Sequence, residues 1–152
     1  MTAPCRDACC SATPRLTVSE LFERGFRRNR TDPLPIEGAA LTDPDGNKAR
    51  FSLAVTDETI VDVAFRASSC ATLIAYCELV AELIPGFRLD IAKALTATNL
   101  IEALPGVPAL KRTRAVLAVA AFRAALVQAG EPLQPQTEGS HESRLHLRHP
   151  AP

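Results

Sequence analysis

The chain has no tryptophan, a single methionine and a single tyrosine, and no excess of either charge: 17 Lys and Arg stand against 17 Asp and Glu. Balanced charge gives no electrostatic footprint for nucleic acid or an anionic surface. No uninterrupted apolar run approaches the roughly 20 residues of a membrane span, and residues 1–15 lack the basic-then-apolar order of a secretory signal. There is no phosphate-cradling glycine loop, dinucleotide fingerprint or Ser-His-Asp order, and the only histidines are His141, His146 and His149 in the last stretch. No enzyme is expected from such a set. The five cysteines are an odd number without the rhythm of a disulfide scaffold. Free thiols fit a reducing compartment, so the expected location is cytoplasmic.

What is present is 47% hydrophobic content in 152 residues, enough for one domain with a real core. The chain is organised around a strand, a tight turn and a helix. Ile60-Val-Asp-Val-Ala-Phe-Arg66 is rich in β-branched residues that alternate. Ala67-Ser-Ser69 turns the chain, and Cys70 to Ile84 reads as a helix stopped by Pro85-Gly86. Ser68 or Ser69 is the expected cap, which puts Cys70 in the first turn. There the backbone dipoles and free N–H groups favour a thiolate over a thiol. The alternative for Cys70 is a small core residue.

Residues 1–15, with Cys5, Cys9 and Cys10, read as a disordered tail. Their C-x3-C-C spacing lacks the usual C-x2-C metal hook. One domain is expected over residues 16–130. It opens on a helix capped by Thr17 or Ser19, with Leu21, Phe22 and Phe26 on one face and Arg24, Arg27, Arg28 and Arg30 on a solvated one. Leu34 to Leu41 is short and extended. Asp43-Pro-Asp-Gly46 is a strong turn signal, and Lys48 to Val55 alternates with Ala49, Phe51, Leu53 and Val55 inward. After Asp57-Glu58 the Ile60 strand follows. The expected fold class is therefore α+β, a three-stranded antiparallel meander covered by helices. Two short helices, Leu89–Leu95 and Thr98–Leu104, the second capped by Thr98, are stopped by Pro105-Gly-Val-Pro108. A final helix from about Lys111 to Gln128 has almost no polar face over Ala115 to Phe122, so burial or cover by another chain is expected. Residues 131–152 are polar and Pro-rich, and read as a second disordered tail.

That order of elements resembles the IscU/NifU N-terminal type of iron–sulfur cluster assembly scaffold. Asp62-Val-Ala-Phe-Arg66 with Ser69-Cys70-Ala-Thr-Leu-Ile-Ala is similar to the family's strand and G-C-x-x-x-x-A helix start, and Glu82-Leu-Ile-Pro-Gly86 to its E-x-x-x-G helix end. Leu104-Pro105, Leu117-Ala118 and Ala124-Ala125-Leu126 resemble its closing section. The family's site uses three cysteines, a nearby aspartate and often a histidine. By the resemblance, Asp45 stands at the first cysteine position, Gly46 is kept, Asn47 stands at the aspartate, Cys70 is kept, and Thr113-Arg114 replaces the His-Cys pair.

The resemblance implies metal contact through Cys70 and Asp45 only, because an arginine has no lone pair to give. A cluster needs about four donors, usually thiolates. Cys77, seven residues along the helix from Cys70, is roughly 10 Å away and faces the core. The implied function is a divergent scaffold-like protein that does not hold a cluster alone, its iron or iron–sulfur cluster being shared with a partner. The alternatives are an accessory subunit that keeps only the fold and a protein-binding surface, or a carrier using the Cys70 thiol or persulfide. The expected partner is a protein, an iron–sulfur assembly factor or enzyme, with neither nucleic acid nor membrane involved. Lys111, Arg112 and Arg114, in the first turn of the final helix, oppose its dipole, and no acidic residue lies between Glu102 and Glu131. They are expected either to dock an acidic partner surface or to stand as solvated charge.

Overall fold

The computed structural model describes residues 16–130. The expected tails, with Cys5, Cys9, Cys10 and the three histidines, lie outside the described residues. Helix α1, Val18–Arg28, is capped by Thr17 rather than Ser19, because Glu20 closes a reciprocal capping box: Glu20 N donates to Thr17 Oγ1 at 3.2 Å, and Thr17 N to Glu20 Oε2 at 3.1 Å. Its inward face is Leu21 and Gly25, with Phe22 partly buried against the core and Arg28 turned in; of the expected Leu21, Phe22 and Phe26, only Phe26 stays out. Gly25 causes the difference: a Cβ there would lie 2.7 Å from Ile74 Cγ2 and 3.0 Å from Ile74 O, so the glycine lets α1 press against the Cys70-led helix. Phe26 is left exposed, its ring under the Arg30 guanidinium at 4.3 Å.

Strands β1 (Ile36–Glu37) and β2 (Leu41–Thr42) pair antiparallel with β3 (Lys48–Thr56), and β4 (Thr59–Ala67) pairs antiparallel with β3 as well. The first strand of the expected meander is thus split in two. The break begins at Gly38, where a Cβ would lie 2.5 Å from Ala125 N on the last helix, so only a glycine lets the backbones approach that closely. Asp57 and Glu58, at φ 51° and 61°, form the tight β3–β4 turn in left-handed conformation.

The register shifts between Ala54 and Val55. Val55 faces Ile60 while Ala54 faces Asp62, which leaves Val61 as an extra residue, a β-bulge. Strict alternation would group Ile60 with Asp62 and Ala64. The bulge instead puts Ile60 in the core with Val63 and Phe65, and leaves Val61 exposed. Phe51, Leu53 and Ala49 face the same core, and Val55 is partly buried.

Helix α2, Ala71–Leu83, is buried along ten of its residues. The one-turn helix α3, Leu89–Ala92, is shorter than expected. Helix α4, Ala97–Ala103, is capped by Thr96 and not Thr98, since Asn99 answers Thr96 in a second capping box. A 3-10 turn, Ala109–Lys111, precedes the last helix α5, Thr113–Gly130. By length and composition Ala109–Gly130 would suit a membrane span. Here its small and apolar residues, from Ala115 to Leu126, pack on β3 and α2, with Phe122 edge-on to Phe51 at 5.8 Å between ring centroids. Val116 and Val127 stay exposed.

Candidate functional site

The end of β4 and the start of β3 are antiparallel neighbours, so the β2–β3 turn and the entry to α2 meet at one end of the sheet. Two bonds stitch them: Ser68 N donates to Lys48 O, and Lys48 N to Ser68 Oγ, each at 3.0 Å. Ser68 is therefore spent on the strand and does not cap α2. Cys70 itself is the cap residue, without a side-chain capping bond, and the helix starts one residue later than expected. Its backbone N donates to Ser68 O at 2.7 Å, and its carbonyl accepts from Ile74 N at 2.9 Å. The thiol is half-buried. Cys77 is fully buried in the core, and burial pushes its thiol pKa up, with Glu78 adding to the effect.

The N-terminal turn of α5 brings Arg114 to this same end. Its Nη1 donates to Asp45 Oδ2 at 3.0 Å, to Asp43 Oδ2 at 3.3 Å and to Thr113 Oγ1 at 3.3 Å. Asp43 is the hub of the turn. Its Oδ1 accepts from the backbone N–H of Asp45 at 3.0 Å and of Asn47 at 2.8 Å, and its Oδ2 from Asn47 Nδ2 at 3.1 Å. Gly46, at φ 85°, completes the turn. Side-chain exposure is 14% for Arg114 and 11% for Asp43 but 66% for Asp45, so the inner pair is sheltered and the outer carboxylate is wet. Arg114 Nε is buried and, among the described residues, has no hydrogen-bond partner.

Burial works to raise the Asp43 pKa, but the bonds from Asn47, the Arg114 charge and the Asp45 N–H together hold it below the ordinary carboxylate value. The Arg114 guanidinium is held above its ordinary value, first by Asp45 and then by the adjacent Cys70. A sheltered cation thus sits between two carboxylates and beside a thiol. Among the described residues no group of three His, Cys, Asp or Glu side chains is arranged to hold a metal ion.

Asp45, Cys70 and Arg114, far apart in sequence, do converge. Lys111 and Arg112 do not join them: both are exposed, Lys111 at the end of the 3-10 turn and Arg112 as its C-cap, ahead of the first helical turn of α5, and among the described residues neither is in an ion pair. Arg114, by contrast, is neutralised from across the fold by Asp43 and Asp45. Asp43 was missed as more than a turn former; its signal was an Asp opening a turn with an Asn four residues on.

A second charged cluster lies away from this end, and it corrects the expectation that Arg28 stands on a solvated face. Arg28 Nε donates to Glu78 Oε2 at 2.7 Å and Nη2 to Oε1 at 3.2 Å, with Nη1 on Val63 O at 3.1 Å. Glu78 is almost completely buried. Burial raises its pKa, Glu82 adds to this, and Arg28 opposes it.

No curated protein matches the sequence. Among solved structures, an N-terminal NifU-like nitrogen-fixing protein from Brucella abortus is 19% identical, with 71% of this chain and 80% of that chain covered at a TM-score of 0.42. A putative iron–sulfur cluster assembly scaffold protein for the SUF system from Fervidobacterium islandicum is 17% identical, covering 70% and 90% at 0.39. A hypothetical protein, 17% identical, covers 73% and 93% at 0.40. The family model described as NifU-like N terminal domain matches residues 26–130. With more than two thirds of the sequence inside that match, the chain belongs to the NifU-like N-terminal domain family.

Proposed function

We propose that this chain is a scaffold-like protein of iron–sulfur cluster assembly that does not hold a cluster by itself, its cargo being bound only with ligands from a partner. The observation that carries this reading is the ion pair of Asp45 with Arg114 at 3.0 Å. These residues occupy the two positions that resemble family cysteines, and in place of two thiolates they supply a carboxylate already neutralised by a fixed cation. Iron needs anionic or neutral donors, and a cluster about four of them. Cys70 is the one thiol on this end of the sheet among the described residues, and a guanidinium beside it repels a metal cation. The donor set does not fit a cluster held by this chain alone.

The test is anaerobic reconstitution of the full chain with ferrous iron and sulfide, followed by iron and acid-labile sulfide analysis. The expected result is sub-stoichiometric iron, unchanged when Cys5, Cys9 and Cys10 are replaced by serine. The double substitution Asp45→Cys/Arg114→Cys should gain a cluster. Stoichiometric cluster on the unaltered chain overturns the reading. The same ion pair also favours a second reading, an accessory subunit that has lost cluster chemistry; it differs in expecting no cluster even when the partner is present.

A further inference from the structure

The face of the sheet turned away from the core is basic where β3 begins and β4 ends. Ala49 and Phe51 point into the core, so Lys48 and Arg50 project from the opposite face of β3. Arg66 on β4 is the register partner of Arg50, which sets two cations directly opposite each other on that face. Such a like-charge pair is unfavourable by itself. Backbone carbonyls hold the two guanidinium groups: Arg66 Nη1 donates to Asn29 O at 2.7 Å and Nη2 to Thr31 O at 2.8 Å, and Arg50 Nε donates to Gly38 O at 2.9 Å. Among the described residues the one carboxylate paired with either is Glu37, 3.6 Å from Arg50 Nη2, while Arg66 and Lys48 are in no ion pair. Lys48, Arg50 and Arg66 line a pocket of about 400 Å³ together with Asn29, Ser68 and three alanines. Although charge over the whole chain is balanced, no carboxylate among the described residues lines this pocket.

We propose that this pocket binds a small polyvalent oxyanion, a polyphosphate or a polycarboxylate, with one oxyanion group on the Arg50–Arg66 pair and another on Lys48. The anion cancels the repulsion between the paired cations. Their bonds to backbone carbonyls fix the guanidinium planes before it arrives, so little ordering is left to be done on binding. Arg50 Nη1, Arg66 Nε and Lys48 Nζ make no hydrogen bond among the described residues and supply the donors. The volume is of the size that takes small molecules. Single-stranded nucleic acid is disfavoured because no aromatic ring lines the pocket for a base to stack on. A protein surface is disfavoured because the apolar lining is alanine alone, which gives an anchoring side chain little to pack against. The inference does not rest on cluster chemistry, and its test reads anion binding alone.

The full chain is titrated calorimetrically with inorganic tripolyphosphate, with citrate, and with acetate as a monovalent control, all at one ionic strength. The expected result is one-to-one binding of tripolyphosphate, citrate or both, about tenfold or more tighter than acetate. Binding of only one of the two assigns the phosphoryl or the carboxylate class. Lys48→Gln/Arg50→Gln should weaken that binding by about tenfold or more, whereas Lys111→Gln/Arg112→Gln, which removes the same two charges elsewhere, should change it by less than about twofold. Because Arg50 also holds Gly38 O, the single variant Lys48→Glu is measured as well. It should melt like the parent and bind about fivefold or more weakly. The proposal is overturned if neither polyvalent anion binds, if the two double variants lose affinity alike, or if Lys48→Glu leaves the affinity unchanged. It is equally overturned if oligothymidylate or a glutamate-rich peptide binds through Lys48 and Arg50 while the two small anions do not.

Discussion

Asp45 and Arg114 are 69 residues apart in sequence and 3.0 Å apart in the fold, and both take their position from Asp43, which shapes the turn and shares the guanidinium. Asp43 has a depressed pKa in the folded protein. A carboxylate of that kind contributes stability above its unfolded pKa and loses it as pH falls through the lower folded value. Asp43→Asn keeps the size and one acceptor but not the charge. The variant should melt below the parent at neutral pH, and the two melting temperatures should converge as pH drops below the ordinary carboxylate range. Parallel curves from pH 7 to 3 would show that the charge on Asp43 plays no part.

The Arg28–Glu78 pair predicts an asymmetry between single and double substitutions. Arg28→Ala leaves the almost completely buried Glu78 carboxylate without its bidentate partner and should cost about 3 kcal/mol, whereas Arg28→Met/Glu78→Leu should recover most of that loss. Urea denaturation of the three proteins gives the numbers. Equal losses for the single and double variants would contradict a buried pair.

Tyr76 is completely buried, and among the described residues its hydroxyl has no hydrogen-bond partner. Burial raises its pKa, with Arg112 pulling the other way. Because an unsatisfied buried hydroxyl costs free energy and the ring supplies the packing, Tyr76→Phe should be neutral or stabilising by about 1 kcal/mol. A clear loss of stability would mean that the hydroxyl is satisfied in solution, for example by an internal water.

Cys70 and Cys77 should separate cleanly in alkylation. Cys70 is half-buried at the helix cap, while Cys77 is sealed in the core with its thiol held protonated by burial. Iodoacetamide on the native protein should modify Cys70 while Cys77 remains unmodified until denaturant is added, as read by fragment-level mass spectrometry. Equal native rates at the two sites would refute the placement.

The order of elements was legible because it is written locally: the Asp43–Gly46 turn, the inward set Ala49, Phe51 and Leu53, the Thr17 cap and the Pro85-Gly86 stop all act within a few residues. The convergence of Asp45, Cys70 and Arg114 was legible only through the family resemblance, since no local rule joins residues so far apart. What escaped were choices settled between elements. Val61 is pushed out by the register of β3, Ser68 is drawn from the helix to Lys48, and Arg28 turns inward because Gly25 brings Glu78 within reach. Lys111, Arg112 and Arg114 look like one basic run, yet among the described residues only Arg114 meets acidic groups, and those come from the β2–β3 turn, far earlier in the sequence.

Gly38 against Ala125, and Phe51 against Phe122, set a timetable for synthesis. The sheet is complete once Ala67 has emerged from the ribosome, but the helix that covers β3 is not available until more than fifty residues later. For that interval the nascent chain carries Phe51 and Leu53 on a face only partly shielded by α2, a surface of the kind that chaperones recognise or that associates wrongly. Translation stalled before residue 122 should therefore yield a sticky, protease-sensitive intermediate, and release of α5 should be the step that closes it.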